Sequence, residues 1–234
     1  MKFVIIGDVH GRDYWMDFVQ ENKGAHFVFL GDYVDPYDED ISNLDALVNL
    51  QMIVNYKKKH QNNVTLLIGN HDAQYLFYPK FATGVLMNNE KIIETIRFFR
   101  KNKQYFQFAY QKGDNLFTHA GVSHYWYRHY EDLFYYYGLE KDKSNFADCL
   151  NKMGDDNRWR ESLMDISSLR GGSEPFGGPN WADKKELFDA GVNGLHQFVG
   201  HNMMPNVWTT GTKNASITFC DVQQTRKKCL IKNL

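Results

Sequence analysis

Five short stretches of this chain carry side chains able to bind cations or move protons, and each follows an apolar run. Asp8 and His10 close VIIGDVHGR, Asp32 and Asp35 close FVFLGDYVD, and Asn70, His71 and Asp72 close VTLLIGNHD. His119 follows the run at Asn115 to Thr118, and His201 follows the run at His196 to Val199 and Gly200. An apolar run ending in glycine reads as a buried strand that turns sharply at its carboxyl end. A lone D-x-H turn is equally a surface turn with a capping aspartate. Three runs that each deliver oxygen or imidazole donors directly after glycine are instead what a site at the carboxyl ends of sheet strands requires. Hard oxygens mixed with neutral imidazoles, and no cysteine, suit a pair of divalent first-row cations rather than thiolate-bound structural zinc.

The elements between these stretches must bring them together. Tyr14 to Asn22 has helical apolar spacing and stops at Lys23-Gly24 before a strand at His26 to Leu30, a βαβ unit. Pro36 to Asp40 is an acidic turn, solvent-exposed or placed to repel polyanions at the mouth of a site. Ser42 or Asn43 then caps a long helix whose expected buried face is Leu44, Leu47, Val48, Met52 and Val54. That helix ends in Lys57-Lys58-Lys59, a solvated end that suits the helix dipole. Val64 to Ile68 is the third strand; Tyr75 to Asn89 reads as an irregular insertion and Ile92 to Lys101 as a helix.

The second half begins with antiparallel pairing. Tyr105 to Tyr110 and Asn115 to Thr118 flank the turn Lys112-Gly113-Asp114-Asn115. Ser123 to Asp165 is helical, with an aromatic cluster from Tyr125 to Tyr137 that reads as a packed cap or as a stacking platform for a nucleobase. The loop Arg170 to Trp181 is too long and polar to be mere connection. A short helix at Asp183 to Ala190 and strands near Val207 to Thr210, Ile217 to Cys220 and Leu230 complete an α/β chain with crossover helices.

Composition bounds the function. With 234 residues, 43% hydrophobic and 24% charged, and no Pro/Gly/Ser-rich linker, residues 1–234 read as a single domain with a well-buried core. A formal net charge of -1 gives no general field for nucleic acid. Cys149, Cys220 and Cys229 are odd in number and lack metal-finger spacing, no apolar run is long enough for a bilayer, and the first strand leaves no room for a signal peptide. The expected location is the cytoplasm. His26, His60, His124, His129 and His196 lie outside the motifs and read as surface or packed imidazoles.

In order along the chain, GDVHG, GDYVD, GNHD, the His119 of THAG and the GH of VGHN resemble the motifs of the calcineurin-like metallophosphoesterases. The likeness reaches from Asp8 to His201. It is strongest to the branch of serine/threonine phosphoprotein phosphatases and symmetric diadenosine tetraphosphate hydrolases, because Met203 follows GHN where other branches place a second histidine. The resemblance implies a four-layer fold, two mixed sheets face to face with helices outside. It implies that Asp8 and His10 bind a first metal, that Asp32 bridges two, and that Asn70, His119 and His201 complete the second. His71 would be the general acid, held by Asp35. The implied cofactor is two divalent ions, manganese first, with iron, zinc, nickel or cobalt as alternatives.

Such a pair, about 3.5–4 Å apart, lowers the pKa of a bridging water and clamps phosphate oxygens for in-line attack, so no protein nucleophile is needed. The phosphoprotein phosphatases follow GDYVD with Arg-Gly, and that arginine grips phosphate; here Pro36 and Tyr37 stand instead. Arg170 is the preferred substitute, and Arg12 reads equally as a phosphate ligand or a surface charge at a helix entry. The expected activity is phosphomonoester hydrolysis on a phosphorylated protein. The alternatives are a nucleotide or dinucleoside polyphosphate hydrolase and a non-catalytic phosphate-binding scaffold, the latter at odds with an intact acid.

Overall fold

Strands and helices alternate through the first half of the computed structural model, which describes residues 1–234 apart from 189 and 225. The order is β1 (Lys2–Ile6), α1 (Trp15–Glu21), β2 (His26–Phe29), α2 (Asn43–Lys59), β3 (Val64–Leu67), α3 (Asn70–Leu76) and α4 (Ile92–Lys101). Then come β4 (Phe106–Gln107), β5 (Ala109–Lys112), β6 (Asn115–Thr118), α5 (His124–His129), α6 (Glu131–Tyr136) and α7 (Phe146–Asp155). The chain closes with α8 (Lys184–Leu187), β7 (His196–Val199), β8 (Trp208–Thr212), β9 (Ala215–Phe219) and β10 (Leu230–Asn233).

Two mixed five-stranded sheets result, ordered β10-β1-β2-β3-β4 and β5-β6-β7-β9-β8. β1, β2, β3 and β4 run parallel with β10 antiparallel at the edge. In the second sheet β6, β7 and β9 run parallel between antiparallel β5 and β8. Strand alternation sorts the core. Phe3, Ile5, Val28, Leu30 and Leu67 meet Phe117, Phe198 and Cys220 between the sheets. Val4, Ile6, Phe27, Phe29 and Leu66 face the other way, onto Trp15, Phe18, Leu50, Ile53 and Phe99 of the helices. Burial on both faces is why β1 reads as an unbroken apolar run. Beyond the second sheet, Leu116 packs with Trp126, Phe134, Phe146 and Leu150, and Val199, Ile217 and Phe219 pack with Leu187 of α8. Two mixed sheets flanked by helices are the architecture the motifs imply. No helix among the described residues is long and apolar enough to cross a membrane.

Four local expectations are corrected. The buried face of α2 is Ala46, Leu47, Leu50, Ile53 and Val54; Leu44, Val48 and Met52 are exposed. The helix is capped by Ser42, whose hydroxyl accepts the Asp45 amide at 3.1 Å while Asp45 accepts the Ser42 amide at 3.0 Å. Tyr105 to Tyr110 is not one strand. Phe106–Gln107 joins the first sheet and Ala109–Lys112 the second, and Asn151 pins the crossing by accepting the amides of Phe108 and Ala109 at 2.9 and 3.0 Å. Tyr75 belongs to α3 rather than to an irregular insertion, which begins only after Leu76. The helix expected at Asp183 to Ala190 spans Lys184–Leu187, and its residue 189 lies outside the described residues. In the aromatic stretch, Trp126, Tyr127 and Phe134 are core while Tyr125, Tyr135 and Tyr136 are exposed.

Candidate metal centre

The three central parallel strands of each sheet end at the same edge of the molecule. β1, β2 and β3 lead into Asp8 and His10, Asp32, and Asn70; β6 and β7 lead into His119 and His201. Asp8, His10 and Asp32 form one group whose donor atoms lie within 4.8 Å of one another, and Asp32, His119 and His201 form a second. Asp32 belongs to both. Its Oδ2 lies 3.7 Å from His10 Nε2 and 3.4 Å from His119 Nε2, and the latter nitrogen lies 2.8 Å from Asn70 Oδ1. All six sequence-predicted ligands therefore converge.

The backbone bends to aim them. His10, Asp32, Asp35 and His201 have φ of 43°, 51°, 57° and 58°, a left-handed conformation that costs non-glycine residues roughly 1–3 kcal/mol each and persists where surroundings over-determine it. Glycine is required beside them. A Cβ on Gly69 would sit 2.0 Å from Asp32 Oδ1, and one on Gly200 would sit 2.3 Å from Asp8 Oδ1. The imidazoles are fixed from behind: His10 Nδ1 lies 2.8 Å from the Val34 carbonyl, and His119 Nδ1 lies 2.8 Å from that of Leu30. These bonds leave each Nε2 to face inward.

The residues present fit two divalent cations. His201 Nε2 is buried with no hydrogen-bond partner, and Asp8 and Asp32 are each 2% exposed. Burial, then the charge of Asp221, pushes the Asp8 carboxyl well above the usual range. Burial opposes ionisation of Asp32 too, but His119 and His71 hold it far below that range. Burial lowers His10 to about 4 and His201 well below the ordinary value, keeping both neutral, the form that gives a lone pair to a cation. His119 is lifted to about 10 against burial by the charge of Asp32, and a cation would displace that proton.

His71 is set apart from the donor groups. Its Nδ1 lies 2.8 Å from Asp35 Oδ2, and Asp35 also accepts a hydrogen bond from the Tyr75 hydroxyl. Burial pulls the imidazole down, but the charge of Asp32 and the bond to Asp35 leave it above the ordinary histidine value. The two arginines differ. Arg12 is buried, 3% exposed, with Nε 2.8 Å from Asp38 Oδ2 and with Nη1 and Nη2 lacking hydrogen-bond partners. Its charge reaches His10 and Asp221. It is not a surface charge. Arg170 lies near His201 and is engaged, Nε 2.8 Å from Asp183 Oδ2 and Nη2 donating to Asn202 Oδ1 at 2.6 Å.

The family model for calcineurin-like phosphoesterases matches residues 1–205. The chain belongs to that family. Its fold is similar to a cold-active protein-tyrosine phosphatase of the psychrophile Shewanella sp., with TM-score 0.55 and 17% identity over 98% of this chain and 74% of that one. It is also similar to a Saccharomyces cerevisiae serine/threonine phosphatase with similarity to human PP5, with TM-score 0.51 and 15% identity over 94% of this chain and 67% of that one. Membership makes the protein a metal-dependent hydrolase of phosphate esters.

Several residues of this phosphoesterase site escape the sequence motifs. Asp221, buried at 1%, follows β9, the third parallel strand of the second sheet, and its charge bears on Asp8. Its signal is an apolar run ending in a carboxylate, as at Asp8 and Asp32, but with Cys220 in place of glycine. Tyr37, at the position of the absent Arg-Gly, puts its hydroxyl 3.2 Å from His71 Nε2 and its ring 4.5 Å from that of His10. Asn180, in the long loop, donates to the Ile68 carbonyl at 2.8 Å beside the GNHD turn, and Trp181 packs edge-on to His201 at 5.5 Å.

Proposed function

We propose that this phosphoesterase is a dinuclear phosphomonoesterase of phosphoprotein-phosphatase type, with Asp8, His10, Asp32, Asn70, His119 and His201 as ligands and manganese as the working ion. The observation that carries the reading is Asp32 shared between two donor groups, with an imidazole turned away from both beside it. When bound, the two cations supply an activated water and charge to hold phosphate oxygens.

The chain's own residues do the rest. Asp35 holds His71 by Nδ1, so its other nitrogen, Nε2, carries the proton to the leaving oxygen. Arg12 keeps two buried donors uncommitted, which supports giving it the larger part in gripping phosphate, with Arg170 second. Free Cys149, Cys220 and Cys229 support a reducing, cytoplasmic setting. Turnover of p-nitrophenyl phosphate with added manganese, abolished by chelator and restored by metal, is the expected result. Phosphate or vanadate binding without any turnover would leave the non-catalytic scaffold instead.

A further inference from the structure

The nitrogen of His71 that must meet the leaving group is already in contact with a residue outside every motif. Nδ1 faces Asp35, so the proton leaves from Nε2, and the Tyr37 hydroxyl lies 3.2 Å from that atom. Tyr37 is 57% exposed and rests its ring on His10 at 4.5 Å. It therefore stands where a leaving oxygen has to arrive, and it can be displaced without opening the core.

Beyond Tyr37 opens a cleft of about 550 Å³ bounded by Asp38, Glu39, Asn43, Asn88, Asn89 and Glu90. Among the described residues no lysine, arginine or histidine lines it. Arg12 pairs with Asp38, while Glu90 accepts a bond from Asn43 at 2.7 Å and feels Lys91 from outside the lining, so the charge that faces the cleft is carried by Glu39 and Glu90. A leaving group that is itself a phosphate would enter against like charge on the very side where the general acid works.

We propose that Tyr37 and this acidic cleft select the leaving group: they admit a phosphomonoester whose alcohol is neutral or positively charged, such as a phosphoserine flanked by arginine, and turn away nucleoside polyphosphates. The inference rests on the phosphomonoesterase reading. In the step itself water forms the new P–O bond, the bond to the serine oxygen breaks, and that oxygen takes the Nε2 proton as the Tyr37 hydroxyl gives way.

The test uses the full chain with manganese and compares kcat/KM for an arginine-flanked phosphoserine peptide, its glutamate-flanked counterpart and ATP. A preference of about tenfold or more for the arginine peptide over both is expected. The double variant Glu39→Gln/Glu90→Gln, isosteric at exposed positions, should cut that preference to about threefold or less, and Tyr37→Ala should narrow the margin over ATP. Equilibrium binding of the two dephosphorylated peptides reads the cleft even without turnover, and the arginine peptide should bind more tightly. Equal binding of the two, a preference unchanged in the double variant, or ATP favoured by the wild type would overturn the inference. Absence of turnover on every phosphoester would overturn the phosphomonoesterase reading instead.

Discussion

The carboxylate of Asp72 holds Asp32 in place: its Oδ2 accepts the Asp32 amide at 2.7 Å and the Gly69 amide at 2.8 Å, while its Oδ1 accepts the Tyr33 amide at 2.9 Å. The aspartate common to both donor groups is thus tied across 40 residues to the first turn of α3. Asp72→Asn turns an amide NH2 against one of these N–H donors, and metal affinity is expected to fall about 10–100-fold, measured by competition with a calibrated chelator. Undiminished affinity would show that the loop holds without it.

Asp32→Asn should empty both metal positions, because one side chain serves both donor groups. Elemental analysis after dialysis is the measurement. Two tightly held metals in the variant would sink the bridging role.

His71→Asn should keep its metals and lose about 10²–10⁴-fold in rate on alkyl phosphates, with a smaller loss on p-nitrophenyl phosphate, whose leaving group is already a stable anion. If both substrates slow equally and metal content falls, His71 is a ligand and the acid lies elsewhere.

Between the arginines, Arg12→Ala is expected to raise the vanadate inhibition constant by about tenfold or more, and Arg170→Ala by less, since Asp183 and Asn202 already engage Arg170. The reverse order would return the clamp to Arg170.

His26 supplies a pH test away from the metals. It lies 2.9 Å from Thr65 Oγ1 and stacks on Tyr110, and burial, then Lys57 and Lys112, lowers it to about 4. A depressed folded-state value means the neutral ring's contribution is fully present above the unfolded value of about 6.5 and is lost as pH falls toward 4. Thermal melts of wild type and His26→Gln should converge by about 1–2 kcal/mol across that interval. Parallel pH profiles would rule the ring out.

Four of the five strands that lead into the candidate site were legible because each is followed by glycine and then a chemically unmistakable side chain, while His119 follows Thr118 directly and showed only as a histidine closing an apolar run. Asp221 was not legible, because it follows Cys220 and offers no histidine or glycine to mark it. Tyr37 depends on where a turn folds back over His71, which local pattern does not encode. On α2, Leu44, Val48 and Met52 repeat every four residues just as the true inner face does, and periodicity cannot tell two apolar stripes apart. The change of sheet at Phe108 carries neither glycine nor proline, since the crossing is secured by Asn151 from α7.

The place of β10 has a consequence for the chain as it leaves the ribosome. β1 is made long before the strand that covers its edge on that side, Leu230–Asn233. Until then the most apolar strand of the protein presents an unpaired row of amides and carbonyls, the template on which nascent chains pair with one another. Chaperone demand should therefore concentrate on the interval between the emergence of β1 and that of β10.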